Sequence, residues 1–169
     1  ILKQAGGKGK MVIIHGQKGT TPEVDRSKGC AESLKANPGV KVVAEQYSNM
    51  WAQDEGFQIM QNMLQANPDV SIVFAQADAL ALGAAQAIKV ANPSQKIVVG
   101  GFDGDTAALE ALSKGVFDVT ATQQTQKMGR DAVANAVKLV AGEKVPPVQL
   151  MDATLTTKEN VAGFIANHP

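Results

Sequence analysis

Five short apolar runs, each followed by a helical segment, constrain the fold of this chain more than any other feature of its sequence. The clearest run, residues 97–99, shows no alternation of apolar and polar residues and is followed by Gly-Gly-Phe-Asp. Runs without alternation are typical of strands that are buried on both faces, as in a parallel sheet. The sequence therefore predicts an α/β fold, a parallel sheet of strand order 2-1-3-4-5 between two helical layers.

The boundaries of these elements follow from turn and capping residues. Strands are predicted at 10–15, 40–46, 71–75, 97–99 and 119–123, with a sixth within 149–155. Helices are predicted at about 21–36, 54–66, 78–90, 106–114 and 126–141, with a capped final turn at 156–160. Thr21 is the predicted N-cap of the first helix, because Pro22 suits a first helical position. Residues 1–7 resemble the last turn of a helix that glycines end, so we expect a fragment of a longer protein.

Composition excludes several classes of function. The 169 residues fit one domain, and 16 Lys and Arg residues balance 16 Asp and Glu residues. A net charge of zero gives no basic excess that would attract nucleic acid or anionic membranes, which leaves only a local basic patch as a source of such attraction. Cys30 is the only cysteine, so no intrachain disulfide forms, and two histidines are too few for a His-rich metal site. No phosphate-loop or dinucleotide motif is present, and we predict no cofactor and no nucleic-acid partner.

The candidate site lies at the carboxyl ends of the predicted strands, where open α/β sheets bind ligands. Carboxylates accept hydroxyl hydrogens, arginine donates in a planar fork, and an indole covers the apolar face of a sugar ring. This set lacks a nucleophile paired with a base, so it predicts binding rather than catalysis. The candidate residues are Arg26, Trp51, Gln53, Gln76, Ala77, Asp78, Asp103 and Gln123.

Purely structural roles remain open for these residues. Asp78 can cap the helix that follows it as readily as it can bind a ligand. For Asp103 a ligand role is favoured, because Asp105 and Thr106 can supply the cap. Arg26 can pair with a neighbouring carboxylate at the surface, and Trp51 can fill the core. Gln123 can bond only to backbone groups.

Four segments carry a resemblance to a known family: FAQADALALGA (74–84), VVGGFDG (98–104), GFQIMQNMLQANPDV (56–70) and LTTKENV (155–161). In this order they resemble the ribose-binding-protein-like periplasmic sugar receptors of ABC transporters. The resemblance implies one Rossmann-like lobe of a type I periplasmic-binding-protein clamshell. It also implies a non-enzymatic, periplasmic importer component that holds a monosaccharide or polyol between two lobes and delivers it to a membrane permease.

The same resemblance implies roles for individual residues. Arg26 matches a hydroxyl-binding arginine, Trp51 a stacking aromatic, and Asp103 and Gln123 two further ligand contacts. Ala77 stands where the family often has Asn, and Gln53 where it often has Arg. The loss of an amide and of a charge suggests a ligand with different or fewer hydroxyls than ribose.

The resemblance further divides the chain into three parts. Residues 1–124 correspond to the C-terminal sugar-binding lobe, 125–147 to a helix that packs in the N-terminal lobe, and 148–169 to a return strand and tail. The apolar stripe on that helix is then expected to be covered by a second chain, by this lobe's own surface or by an N-terminal piece of the protein. The stripe consists of Met128, Val133, Val137 and Val140.

Two other functions compete with transport. The effector-binding core of lactose-repressor-type transcription regulators shares the fold and the Gly-Phe-Asp signature. The NPDV and TKEN segments favour the transport form over this alternative. An enzyme on a flavodoxin-like or Rossmann-like sheet is disfavoured, because the candidate residues include no reactive pair.

Overall fold

A computed structural model describes residues 1–91 and 95–169 of the chain as a six-stranded sheet of order β2-β1-β3-β4-β5-β6. The first five strands are parallel, and the sixth pairs antiparallel with β5. The predicted order of five strands is therefore confirmed, with one strand added at the edge. The strands are β1 (Lys8–His15), β2 (Gly39–Tyr47), β3 (Ile72–Ala75), β4 (Val98–Asp103), β5 (Val119–Thr122) and β6 (Thr154–Thr157).

The helices follow the predicted positions closely. Their bounds are α1 (Thr21–Lys35), α2 (Gln53–Ala66), α3 (Asp78–Ala91), α4 (Thr106–Ser113), α5 (Thr125–Val140) and α6 (Val161–Ala166). The prediction of Thr21 as N-cap is wrong by one residue. Thr20 has the extended backbone of a cap and accepts the first helical hydrogen bond from Val24, so Thr21 is already helical.

The sixth strand begins later than predicted. Residues 149–153 lie outside β6, and the four residues of β6 pair with the four residues of β5. Because β5 ends at Thr122, the backbone before Thr154 has no neighbouring strand to pair with in the described part of the chain. The predicted capped turn at 156–160 precedes α6, and Asn160 Oδ1 accepts a 2.8 Å hydrogen bond from the Thr157 amide.

Two hydrophobic clusters cover the two faces of the sheet. The larger cluster joins β1, β3 and β4 to α2, α3 and α4, with Met60, Leu80, Leu109 and Leu112 almost fully buried. The smaller cluster lies under α1, where Met11, Ile13, Val40 and Ile72 pack against the partly buried Cys30 and Leu34 and against Ile1 and Leu2. The α1 face is therefore the less heavily covered of the two.

The first seven residues form a helical turn that ends on glycine. The amide of Ala5 bonds to the Ile1 carbonyl, and Gly6, at φ 72°, and Gly7 close the turn through Lys3 and Leu2. The bonds of Gly6 and Gly7 form a Schellman motif, and the turn agrees with the prediction of a last helical turn that glycines end. Beside the turn, a groove of about 850 Å³ runs over the α1 face of the sheet and reaches Arg26 and Gln123 at its far end.

Helix α5 packs differently from the other five. None of its residues is buried, and Val133, Val137 and Val140 are 67%, 65% and 90% exposed. Coverage of the stripe by this lobe's own surface, one of the three predicted possibilities, is therefore wrong. Among the described residues, no helix has the length and apolar character needed to cross a membrane.

Candidate functional site

The carboxyl end of β4 is the centre of the candidate site. Asp103 is the last residue of the strand and has a φ of 125°, and Gly104 follows with a φ of 79°. A positive φ is strained for a residue with a Cβ and persists only where its surroundings enforce it. Gly104 leaves no room for a side chain, because a Cβ there would lie 2.4 Å from Thr122 Cγ2. The chain therefore turns sharply here and presents the Asp103 carboxylate at the edge of the sheet.

Arg26, Asp103 and Gln123 form one hydrogen-bonded group. Arg26 Nη2 and Gln123 Nε2 each donate a 2.8 Å hydrogen bond to the same oxygen, Asp103 Oδ1. The side chains of the ion pair are 13% and 24% exposed, so the pair is shielded but still reachable from solvent. The structure thus brings together three of the predicted residues from α1, β4 and the end of β5. Among the described residues, Asp103 Oδ2 accepts no hydrogen bond.

Aromatic rings flank the guanidinium group of Arg26. Its central carbon lies 4.0 Å from the centre of the Phe102 ring and 5.6 Å from the Trp51 ring. Both distances suit a cation–π interaction. Sequence reasoning missed Phe102, because a strand with no alternation gives no sign of which face a residue occupies. Its position directly before Asp103 is the only signal that pointed to it.

Trp51 is half-buried and has a left-handed backbone, with a φ of 58°. Its indole lies directly over Gly16, where a Cβ would lie 1.8 Å from Trp51 Cη2. The side chain also packs against the larger hydrophobic cluster. Trp51 therefore fills space beside the core, as one of its two predicted roles requires, while another part of the ring borders Arg26. Its stacking on a ligand stays a prediction.

A buried amide network supports Arg26 from below. Gln76 is fully buried, its Oε1 accepts a 2.9 Å hydrogen bond from the Gly16 amide, and its Nε2 donates to Ser27 Oγ at 2.8 Å. Arg26 Nη1 donates to the Gln76 carbonyl. Glu23 accepts hydrogen bonds from Ser27 and from the Gly19 amide, and the Gly19 bond holds the pKa of Glu23 below its usual value.

Asp78 is fully buried and lies beneath the turn that follows Asp103. Its carboxylate accepts hydrogen bonds from the amides of Gly104 and Asp105 and from the Thr120 hydroxyl. The capping alternative is wrong for its own helix, because Asp78 is already the first residue of α3 and, in the described part of the chain, its carboxylate bonds to no amide of that helix. The side chain instead reaches across to the turn that precedes α4, whose N-cap residue is Asp105.

Ala77 and Gln53 stand apart from this group. Ala77 is 5% exposed and belongs to the larger hydrophobic cluster. Gln53 is exposed at the first residue of α2. In the described part of the chain, Gln53 forms no hydrogen bond with Arg26 or Asp103, and the methyl group of Ala77 cannot form one.

The electrostatics of the site centre on Asp103. Burial raises the pKa of Asp103 to about 6, and the neighbouring charges of Asp78 and Asp105 add to the increase, while Arg26 opposes it. His15, the last residue of β1, is buried, stacks on Tyr47 and bonds to Ser27 and Glu45. The described residues contain no group of three or more His, Cys, Asp or Glu side chains placed to hold a metal.

An α/β lobe whose sheet edge presents a guanidinium, a carboxylate and an amide beside aromatic rings is a small-molecule-binding lobe. The family described as periplasmic binding protein domain matches residues 1–144, and the chain belongs to that family. The predicted family and fold class are thereby confirmed.

Individual relatives cover most of this chain. The ribose import binding protein of Escherichia coli K12 is 35% identical over 94% of the chain and 53% of its own length. The xylitol-binding protein of Mycolicibacterium smegmatis is 38% identical over 92% and 44%. An ABC transporter solute binding protein from Bacillus halodurans C-125, solved with bound myo-inositol, superposes with a TM-score of 0.92 at 30% identity, covering 98% and 57%. The chain thus spans about half the length of the relatives it matches.

Proposed function

We propose that this chain is one lobe of the solute-binding component of an ABC importer, and that it binds a monosaccharide or polyol without chemical conversion. The single observation that carries the proposal is the Asp103 carboxylate, which two donors hold at the carboxyl edge of the sheet. The family match and the names of the relatives support transport over transcriptional regulation. An extracytoplasmic location and a membrane permease as partner belong to the same proposal.

The site has the chemistry that a polyhydroxylated ring requires. Asp103 Oδ2 can accept a hydroxyl hydrogen, while the remaining N–H groups of Arg26 and the carbonyl oxygen of Gln123 can bond to a neighbouring hydroxyl. Trp51 and Phe102 supply the aromatic surface for the apolar C–H face of a sugar. Asp78 supports this arrangement from beneath.

Two differences from the family pattern, at Ala77 and Gln53, restrict the range of ligands that the site can bind. Ala77 places a methyl group where an amide is frequent, and the exposed Gln53 replaces a cation. A buried alanine cannot bond to a hydroxyl, so a hydroxyl that faced it would lose hydrogen bonds that it makes in water. We therefore propose a sugar or polyol that carries fewer hydroxyls than ribose, or hydroxyls in a different arrangement, on the side that faces Ala77.

We further propose that α5 packs against a second lobe of the protein. The helix buries none of its residues on this lobe, yet its exposed stripe is strongly apolar. The relatives are about twice as long as the part that this chain matches, which leaves room for such a lobe. Two lobes that each contact the ligand would close around it, because ligand binding favours the state with both sets of contacts.

The test is a nuclear magnetic resonance titration of the chain with D-ribose, xylitol and myo-inositol. A single lobe makes only half of the contacts, so we expect weak binding, of about millimolar affinity. The expected result is a shift of the signals of Arg26, Asp103 and Gln123 with at least one compound. 1,4-Dioxane, a ring without hydroxyls, is the matched control. Shifts that are absent with every polyol, or equal with dioxane, would contradict the proposal.

A further inference from the structure

We propose that Asp78 is a positioning residue of the sugar site: it holds the turn at 103–105 in the conformation that brings the Asp103 carboxylate to Arg26 and Gln123. The inference rests on the sugar-binding role proposed above for Asp103. It assigns to Asp78 a role that acts through its neighbour, without contact between Asp78 and the ligand.

The contacts of Asp78 point to this role. One carboxylate oxygen, Oδ2, accepts hydrogen bonds from the Gly104 amide at 2.7 Å and from the Asp105 amide at 3.1 Å. The other oxygen, Oδ1, accepts a 2.6 Å hydrogen bond from Thr120 Oγ1. The residue is 0% exposed. Asp78 thus ties the two amides that follow Asp103 to the neighbouring strand β5.

The backbone of Asp103 needs such a restraint. Its φ of 125° is a conformation that residues with a Cβ rarely adopt, and it persists only where the surroundings enforce it. Gln123 also restrains the backbone of Asp103, since the backbone N–H of Gln123 donates a 2.9 Å hydrogen bond to the Asp103 carbonyl. His168 Nε2 donates to the Gly104 carbonyl at 2.7 Å. Of these restraints, only Asp78 captures two successive amides.

Strand β4 leaves space for the Asp78 carboxylate at Gly101. A Cβ on Gly101 would lie 2.3 Å from Asp78 Oδ1, so a glycine at this position makes the space. Among the described residues, Asp78 forms no ion pair, and its carboxylate is stabilised by hydrogen-bond donors alone. Burying a charge in this way is costly unless its hydrogen bonds are complete. Three donors for one carboxylate meet that requirement and tie its position to that of the turn.

The primary test compares Asp78→Ala with Asp78→Asn in this chain. Amide hydrogen exchange at Gly104 and Asp105 reports the turn directly and needs no ligand. We expect exchange at both amides to rise at least about tenfold in Asp78→Ala, because a buried hydrogen bond to a charged acceptor is lost. The asparagine variant keeps an oxygen that can accept both amides, so we expect its exchange to stay within about threefold of the wild type.

The second readout is sugar binding. Whichever of D-ribose, xylitol and myo-inositol binds the wild type is titrated into each variant. We expect Asp78→Ala to weaken binding at least about tenfold and Asp78→Asn to restore most of it. Val70→Ala is the control for a loss of stability, because Val70 is fully buried just before β3, at the opposite edge of the sheet. Asp105→Asn is the control for charge, because it removes a nearby carboxylate and keeps the amide.

Each outcome supports or overturns the inference. Unchanged exchange at Gly104 and Asp105 in Asp78→Ala overturns it, as does unchanged sugar affinity. Equal weakening by Val70→Ala shows a general stability effect and also overturns it. If no polyol shifts the wild type, the proposed sugar-binding function fails, while amide exchange still decides whether Asp78 holds the turn. If Asp78→Ala does not fold, Thr120→Val removes one donor to the carboxylate, and we expect faster exchange at the same two amides.

Discussion

Arg26 and Asp103 lie 77 positions apart in the chain, and Arg26 Nη2 donates a 2.8 Å hydrogen bond to Asp103 Oδ1. The partners come from α1 and from the end of β4, so the bond forms only after the sheet has assembled. Gln123 donates to the same oxygen, which leaves the other oxygen of Asp103 for a further donor. Two donors therefore hold the Asp103 carboxylate in place, and its second oxygen can still accept a hydrogen bond from a ligand.

Substitution of Asp103 should weaken sugar binding. We expect Asp103→Asn to reduce affinity by about 1.5 kcal/mol or more, roughly tenfold, because a hydrogen bond to a charged acceptor is lost. Isothermal titration calorimetry or a resonance titration with the polyol that the wild type binds measures the change. Asp69→Asn is the control, since Asp69 pairs with Lys10 at the amino end of the sheet. Equal affinity in wild type and Asp103→Asn would refute the role of Asp103.

Stability should depend on pH through Asp103. Its pKa is raised to about 6, above the ordinary value, so the folded chain holds this proton more tightly than the unfolded chain. The protonated Asp103 therefore adds to the free energy of unfolding at low pH, and this added stability is lost as the pH rises from about 4 through about 6. Asparagine does not titrate, so the free energy of unfolding of Asp103→Asn should rise relative to the wild type over that range. Urea denaturation at several pH values measures the difference, and a constant difference would be the contrary result.

Binding should follow the opposite trend. The ionised carboxylate of Asp103 accepts a hydrogen bond from a hydroxyl more strongly than the protonated carboxyl does, and it also pairs with Arg26. Because the pKa of Asp103 is raised to about 6, the ionised form is lost as the pH falls through about 6. We therefore expect the affinity of the wild type for its polyol to decrease below about pH 6 and that of Asp103→Asn to change less. A titration series between about pH 5 and 8 checks this expectation. An affinity that is independent of pH in the wild type would contradict it.

The contact between Gly16 and Trp51 predicts a position-specific effect of alanine. A Cβ on Gly16 would overlap the indole, at 1.8 Å from Cη2, so Gly16→Ala must displace the ring. We expect a loss of about 1–3 kcal/mol in the free energy of unfolding, with a change in the emission of this single tryptophan. In Gly29→Ala, a helical glycine with open space around it, we expect a gain of about 0.5–1 kcal/mol. Similar effects at both positions would show that the contact is unimportant.

Because the apolar face of α5 is exposed, we expect a charged substitution there to change the stability of this chain very little. Val137 is 65% exposed, so Val137→Lys should change the free energy of unfolding of this chain by less than about 0.5 kcal/mol. Val99→Lys, at a position that is 3% exposed, should cost more than about 3 kcal/mol. Urea denaturation measures both values, and similar losses of stability in Val137→Lys and Val99→Lys would contradict the exposure of this face.

The fold was largely predictable, because its signals are local. Unalternating apolar runs, proline and glycine breaks and helical periodicity act over a few residues, and they place five strands and five helices close to their observed bounds. The errors lie where an element depends on a distant partner. The sixth strand begins at Thr154 only because β5 ends at Thr122, and that limit is a property of the pairing.

The amino-acid sequence by itself determined the class of fold, the strand order and the edge of the sheet where polar residues gather. Only the tertiary structure decided which of those residues act together: Arg26, Asp103 and Gln123 share one oxygen, Phe102 joins them, and Asp78 lies beneath them. The physical reason is that strand and helix patterns depend on neighbouring residues, whereas a hydrogen bond depends on positions in space. The left-handed backbone of Asp103 and the buried carboxylate of Asp78 exist only because strands that are distant in the chain lie side by side.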